Sequence, residues 1–305
     1  MKVSVLVVTY NQQKYITQAI DSILMQEVDF DYEIIIGEDN SNDATREIVE
    51  ELQKIHPERI ILSLNNPEDS ELDRRRGFGG KSNFAKCLQA CRGKYIAILD
   101  GDDYWTDAAK LQTQVDFLDQ HPDFAVSFHK TSAVNGEGIA EVVTHDQQQP
   151  EVISLEDLLV MNYVPACAVM FRRGLFGELP DWFYSVKLGD WAIHIMNAQH
   201  GKVGCINKVM SAYRLGPGMW SSLGPECQRL EMINMLDHIN AHLDFKYNKQ
   251  IRAVESVCYY QLAEISFRKG ERMKTGNYLR KYLKVSGFTG AMRLLGTLPG
   301  SRFQP

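Results

Sequence analysis

The sequence predicts an α/β fold: a Rossmann-like, mixed but mainly parallel sheet flanked by helices, followed by a C-terminal helical extension. Three observations predict it. Strand-like and helix-like segments alternate up to about residue 130. The strand-like runs are continuously apolar rather than alternating, the pattern of strands buried on both faces. Beyond about residue 225 only helical three-and-four spacing remains.

The elements follow in order. VSVLVVTY (3–10) is a buried strand, and Ile16, Ala19, Ile20, Ile23 and Leu24 then recur at helical spacing. YEIIIGED (32–39) is a second strand. The helix after it is expected to be capped by Ser41 or Asn42 and to bury Ile48, Leu52 and Ile55. RIILSL (59–64), YIAIL (95–99) and FAVSFH (124–129) are further strands, THDQQQPE (144–151) a polar loop, SLEDLLVMN (154–162) a helix and ACAVMFRR (166–173) a strand. Ile251, Val254, Val257, Cys258, Leu262 and Ile265 form a helical stripe; after a break at Gly270, Leu279, Tyr282 and Leu283 continue it as the second arm of a hairpin.

Composition narrows the function. In 305 residues, 44% hydrophobic and 24% charged, no run reaches the roughly 18 to 20 apolar residues of a membrane span. The N-terminus leads into a strand without a cleavage-site signature, so a cytoplasmic location is expected. Six cysteines without a CxxC pair suit reduced, buried thiols rather than a disulfide framework or zinc site. Residues 246–305 hold twelve Lys or Arg against three Glu, a net of +9, leaving −15 on the first 245. That basic part lacks an aromatic platform, which argues against nucleic acid. Either it is a solvated helical face or it meets an anionic partner.

In parallel sheets ligands gather at the carboxyl ends of the strands. Here those ends carry Thr9, Tyr10 and Asn11, then Glu38 and Asp39, then Asp100, Gly101, Asp102 and Asp103. Carboxylates crowded this way repel unless a cation compensates them, and hard ions such as Mn²⁺ or Mg²⁺ choose carboxylate and phosphate oxygens. A turn-and-cap role for Asp102 and Asp103 before a helix near Asp107 is the competing explanation. A calcium EF-hand is excluded, because Leu111 stands where Glu is required. An aspartyl phosphotransferase of the haloacid-dehalogenase-like kind is disfavoured by Tyr104, where that pattern has Thr or Val.

Several ordered motifs carry a further likeness: VSVLVVTYNQQKYITQAIDSIL, GEDNSNDAT, GKSNFAKCLQACRGKYIAILDGDDYW, KLQTQVDFLDQHPDFAVSFH, GDWAIHI (189–195) and AYRLGPGMWSS (212–222). Together they resemble the family-two glycosyltransferases of GT-A fold over about the first 220 residues. The resemblance implies a catalytic domain over 1–224, with 1–130 binding the nucleotide sugar and 131–224 the acceptor, and a basic helical region over 225–305. It implies that Thr9, Tyr10, Asn11, Glu38 and Asp39 hold base and ribose, with Asp39 able to accept from a uracil or guanine imide. Asp102 first, and Asp100 second, match the metal ligands, and Gly101 lets the backbone approach the donor. Lys81 and Asn83 lie where ribose or phosphate would be touched, although Asn83 serves equally as a helix cap.

By the same resemblance Asp190 is the base, with an N-cap as its alternative; Arg214 reaches the diphosphate, and Trp220 closes over the sugar. The implied reaction is inverting, metal-dependent transfer of a hexosyl or N-acetylhexosaminyl group, a UDP-sugar being favoured, to a glycan or glycolipid acceptor in surface polysaccharide or glycolipid synthesis. A catalytically silent sugar-nucleotide-binding relative is the alternative, against which intact Asp100, Asp102 and Asp190 argue. Related sequences often carry His two residues after the Arg of the last motif; this chain has Gly216, so either the site is one ligand poorer or His194 or a water substitutes. Arg172 and Arg173 can hold an anionic acceptor or keep a sheet edge in solvent. The final stretch, SGFTGAMRLLGTLPGSRF, suits either an anionic bilayer surface at the inner face of the membrane or burial in a homodimer.

Overall fold

The computed structural model describes residues 1–68, 80–135, 138–142, 150–216, 220 and 222–296; of 135, 138–142 and 288–296 it describes the backbone only. The chain divides into two compact units, Met1–Ser185 with Gly189–Gly216, and Val186–Leu188 with the described part of 217–305.

The first unit is built on one sheet. Strands β1 (Val3–Thr9), β2 (Tyr32–Glu38), β3 (Ile60–Leu64) and β4 (Tyr95–Asp100) pair in parallel in the order β3-β2-β1-β4. Helices α1 (Ile16–Leu24), α2 (Thr45–Ile55) and α3 (Lys81–Ala90) connect them. Val3, Val5, Val7, Ile34, Ile36, Ala97 and Leu99 face one way, onto Ile16, Ile20, Ile23 and Val49. Leu6, Ile35, Ile96 and Ile98 face the other way and are equally buried. Burial on both sides explains why these strands carry no alternation; each such side chain contributes about 1.5–3 kcal/mol.

After the two-residue β5 (Tyr104–Trp105) and α4 (Lys110–Gln120), the sheet continues through β6 (Phe124–Asn135), β7 (Gly138–Val142), β8 (Val152–Ile153), helix α5 (Leu155–Val160), β9 (Met170–Arg172), helix α6 (Gly189–Ala198) and β10 (Lys202–Leu215). Short β9 lies antiparallel between β4 and β6, whereas long β10 runs parallel to β6 and carries β5 and β8 antiparallel. The sheet is therefore mixed, with the longest ladders parallel.

Three expectations are corrected. Helix α2 is not capped by Ser41 or Asn42: Asp43 Oδ1 accepts the Thr45 amide (3.0 Å), while Ser41 and Asn42 tie the loop to the end of β1. Ile55, 59% exposed, lies off the apolar stripe, which centres on Val49. In ACAVMFRR only Met170–Arg172 is strand, because Pro165 leads into a short 3-10 turn at Ala166–Ala168. Arg172 donates to the Phe124 and Leu118 carbonyls (2.7 and 2.6 Å) and Arg173 to that of Gly93 (2.8 Å), so both tie backbone segments together.

The second unit contains α7 (Pro225–His242), α8 (Asn248–Arg268) and α9 (Arg272–Gly296) among the described residues. Ile233, Cys258 and Leu262 form its core with Met232, Tyr259 and Tyr278. Gly270 takes φ 76°, a left-handed conformation that ends α8 without a Cβ penalty. Val257 points outward, 52% exposed, and its place in the packing is taken by Glu255, bonded to Arg252. Helix α9 kinks at Gly287 (φ 62°). The amphipathic stretch 286–303 falls almost wholly outside the residues whose side chains are described. All six cysteines are free thiols. No helix among the described residues is long and apolar enough to cross a membrane.

Candidate active site

The polar rim forms where β1, β2 and β4 end together. Asp39 N–H donates to Thr9 O (3.1 Å) and Gly101 N–H to Val8 O (3.0 Å), so three strand ends are laced to one another. Asn11, at φ 54°, donates its amide to Ser41 Oγ (2.9 Å) and accepts from the Asn42 amide (2.8 Å). The exposed Tyr10 hydroxyl accepts from Asn42 Nδ2 (3.4 Å). Thr9 Oγ1 donates to Gln12 Oε1 (2.8 Å), and Gln12 donates to the Asp102 carboxylate. A Cβ on Gly101 would lie 2.4 Å from Gln12 Oε1 and 2.8 Å from Thr9 Oγ1. Glycine is thus required there by the protein's own packing. Gln12 was not singled out in the sequence; its one signal is its position directly behind a strand end.

The two acids after β2 differ. Glu38 is fully buried, one oxygen accepting the Ser41 amide (2.6 Å) and the other Arg46 Nε (2.5 Å). It holds the loop in shape. Asp39 accepts from Asn65 Nδ2 (2.8 Å), and Asn65 in turn accepts from Lys86 Nζ (2.9 Å). Asn83 is 1% exposed and donates to Gly37 O (2.9 Å), which places it between α3 and the sheet rather than at the rim. It does not cap α3 either, since Gly80 occupies that position.

The acidic turn resolves into two half-buried carboxylates, Asp100 and Asp102, and one buried, Asp103. Asp103 N–H donates to Asp100 O (3.0 Å), and its 2%-exposed carboxylate accepts the Arg214 amide (2.7 Å). Burial, then repulsion by Asp100 and Asp102, raises Asp103 well above the usual carboxylate range. Asp100 is pushed up to about 7, by burial first and then by the charges of Asp102 and Asp190, with Lys81 opposing. Asp102 is raised by burial, against the opposing pull of its own backbone, Arg214 and Gln12. No helix is capped by Asp102 or Asp103; α4 begins at Lys110, and Asp107 bonds the Ala109 amide (2.9 Å).

Three other elements bring cations and a further acid to this turn. Arg214, from β10, donates through Nε to Asp102 O (2.8 Å) and through Nη2 to Gln18 Oε1 (2.9 Å), with its guanidinium 4.3 Å from the Tyr15 ring centre. Asp190 lies in the first turn of α6 and accepts from Asn162 Nδ2 (3.3 Å). Lys81, at the start of α3, feels both Asp190 and Asp100; desolvation nonetheless lowers its pKa. Its ammonium sits 5.1 Å from the Phe183 ring centre and fills the space a Cβ on Gly189 would need, 2.0 Å away. His194, one turn beyond Asp190, is fully buried and depressed to about 4 by desolvation, so it lies inside α6's packing rather than at the rim. Trp220 belongs to the second unit, where its carbonyl accepts from Gln228 Nε2 (3.1 Å); its neighbours 217–219 and 221 lie outside the described residues.

Asp100 and Asp102 suit a hard divalent cation that takes one or two carboxylates and completes its shell with phosphate and water. Among the described residues no three His, Cys, Asp or Glu form an all-protein metal cage.

A central, mostly parallel α/β sheet flanked by helices matches the fold of GT-A glycosyltransferase structures. The chain belongs to glycosyl transferase family 2, whose profile matches residues 4–178. An uncharacterized protein of Mycobacterium tuberculosis is 33% identical over 223 residues, covering 72% of this chain and 60% of that one. The putative teichuronic acid biosynthesis glycosyltransferase TuaG of Bacillus subtilis is 26% identical over 216 residues, 70% of this chain and 79% of that one. Among solved structures, S. aureus TarS 1-349 in complex with UDP-GlcNAc shares the fold at a TM-score of 0.62 and 20% identity, covering 93% and 81% of the two chains. A mannosyltransferase from Pyrobaculum calidifontis in complex with GDP-Man and Mn²⁺ gives 0.55 at 16% identity, covering 98% and 88%. The match thus spans about 60% of the length of the mycobacterial relative.

Proposed function

We propose that the protein transfers a sugar from a nucleotide-diphosphate sugar, a UDP-sugar by preference, to a hydroxyl of a glycan or glycolipid acceptor, with inversion at the anomeric carbon. The carrying observation is the meeting of Asp100, Asp102, Lys81 and Asp190, brought from β4, α3 and α6 to one rim. Asp39, Thr9, Tyr10 and Asn11 receive base and ribose, and Glu38 keeps their loop in place. Asp190 takes the acceptor hydroxyl's proton as that oxygen attacks the anomeric carbon and the bond to the diphosphate breaks. Lys81 stands beside Asp190 and Asp100 and offers its donors to the departing phosphates. Mn²⁺ or Mg²⁺ held by Asp102 and Asp100 would neutralise charge on the leaving diphosphate.

Support for UDP comes from the TarS complexes with UDP-GlcNAc and UDP, and for a surface-polymer acceptor from the relatives named for teichuronic acid and poly(ribitol-phosphate). The test is a thermal-shift panel of UDP-, GDP-, CMP- and dTDP-sugars with and without Mn²⁺, since a ligand of the folded state raises its melting temperature. A shift with one nucleotide that requires the metal is expected. No shift with any pair would defeat the donor assignment.

A further inference from the structure

The helical unit carries a surface that sugar transfer does not use. Around Gly270, between α8 and α9, Phe267 is 72% and Met273 85% exposed. Arg268, Lys269, Arg272 and Lys274 surround them, with Glu271 the one acid between. Lys269 and Lys274 reach back to Glu226 (2.7 and 3.6 Å) and Arg268 to Glu264 (2.7 Å), which anchors the turn to the helices and leaves the two apolar side chains projecting. The surface continues along α9, where Met273, Asn277, Arg280 and Lys284 follow at intervals of four, three and four residues and are all exposed. Apolar tips beside a basic stripe match a surface that is anionic outside and apolar just beneath.

We propose that the α8–α9 turn docks the protein onto an anionic phospholipid bilayer. Phe267 and Met273 enter the boundary between headgroups and acyl chains, while Arg272, Arg280 and Lys284 lie over the phosphates. The charge distribution favours this region for the encounter, because residues 246–305 are net +9 whereas the remainder of the chain is −15. A second copy is a poorer occupant, since a two-fold contact would set this basic stripe against itself. A soluble polyanion would leave Phe267 and Met273 in water. The proposed docking site is the turn, and it is independent of the donor and acceptor proposed above.

The test uses the full chain and flotation with vesicles of phosphatidylcholine alone or mixed about three to one with phosphatidylglycerol. Binding to the anionic vesicles alone is expected. It should weaken about tenfold or more in Arg280→Glu/Lys284→Glu, where like charge now opposes the surface, and by a similar factor in Phe267→Ser/Met273→Ser, where the basic residues remain. Because these side chains are exposed, both variants should melt with the parent. Failure of the parent to bind anionic vesicles overturns the proposal, as does unchanged binding by Phe267→Ser/Met273→Ser. A vesicle-free dimer that the same double substitution dissociates assigns the surface to a second copy and also overturns it.

Discussion

Asp190 is bonded weakly, by one amide at 3.3 Å, and sits beside the Lys81 ammonium. A carboxylate held this way is available to accept a proton, and removing one such base costs about 10²- to 10⁴-fold in rate. Asp190→Asn is therefore expected to lose transfer by that order while retaining the donor-induced thermal shift; equal turnover by the variant would remove Asp190 from the chemistry. Gly101 supports a second expectation. A methyl there meets Gln12 and Thr9 inside van der Waals distance, so Gly101→Ala should lower stability by about 1–3 kcal/mol in urea unfolding and weaken donor binding. Asp100 and Asp102 were legible because carboxylates crowded behind an apolar strand demand an explanation. Gln12 was not, because an amide in a polar run resembles any loop residue until its partners are known. Asn83 and Glu38 show the converse: they stand at the right positions in the chain, yet Asn83 spends its amide N–H on Gly37 O, and Ser41 and Arg46 occupy both Glu38 oxygens.

Among the elements, the parallel strands of the first half announced themselves because burial on two faces leaves no alternation to confuse with a helix. Strands β5 and β10 did not. Alternation in KVGCINKVMSAYRL is broken by register shifts against β6, and β5 is two residues long, so neither offers a periodic signal. The start of α2 was misplaced for another reason: Ser41 and Asn42 have capping chemistry, but their hydrogen bonds go across to β1. Helix α8 contains a buried acid, Glu255, whose carboxyl is raised to about 7 by burial first and by Asp237 second, with Arg252 opposing. A carboxyl whose folded pKa exceeds its unfolded value of about 4.3 stabilises fully below that value, and the contribution fades as pH rises through about 7. Glu255→Gln should therefore gain stability relative to the parent between pH 5 and 8, read as a difference in melting temperature. A parent that gains on the variant over that range would show the carboxylate to be favourably paired.

For the whole molecule, acid sensitivity follows from histidines buried in their neutral form. His129 is depressed to about 3, chiefly by desolvation and then by Lys110, and His194 to about 4, again chiefly by desolvation. Because their folded pKa values lie below the unfolded 6.5, their contribution is complete above pH 6.5 and is withdrawn as pH falls towards those values. At pH 4 each should cost about 3 kcal/mol. His129→Gln is expected to lose less stability than the parent between pH 6.5 and 4, measured by urea midpoints; parallel curves would mean the imidazole is protonated in the fold.

Strand β10 lies along β6 for most of its length and ends by placing Arg214 across the acidic turn. The family profile stops at residue 178, ahead of Asp190 and of that whole strand. A fragment trimmed to the profile would keep the aspartates of β4 yet present β6 as a long, naked ribbon edge, open to pairing with any neighbouring chain. The boundary recognised by sequence likeness is thus not a boundary at which the polypeptide can safely be cut: β10, which lies beyond it, covers the long edge of β6.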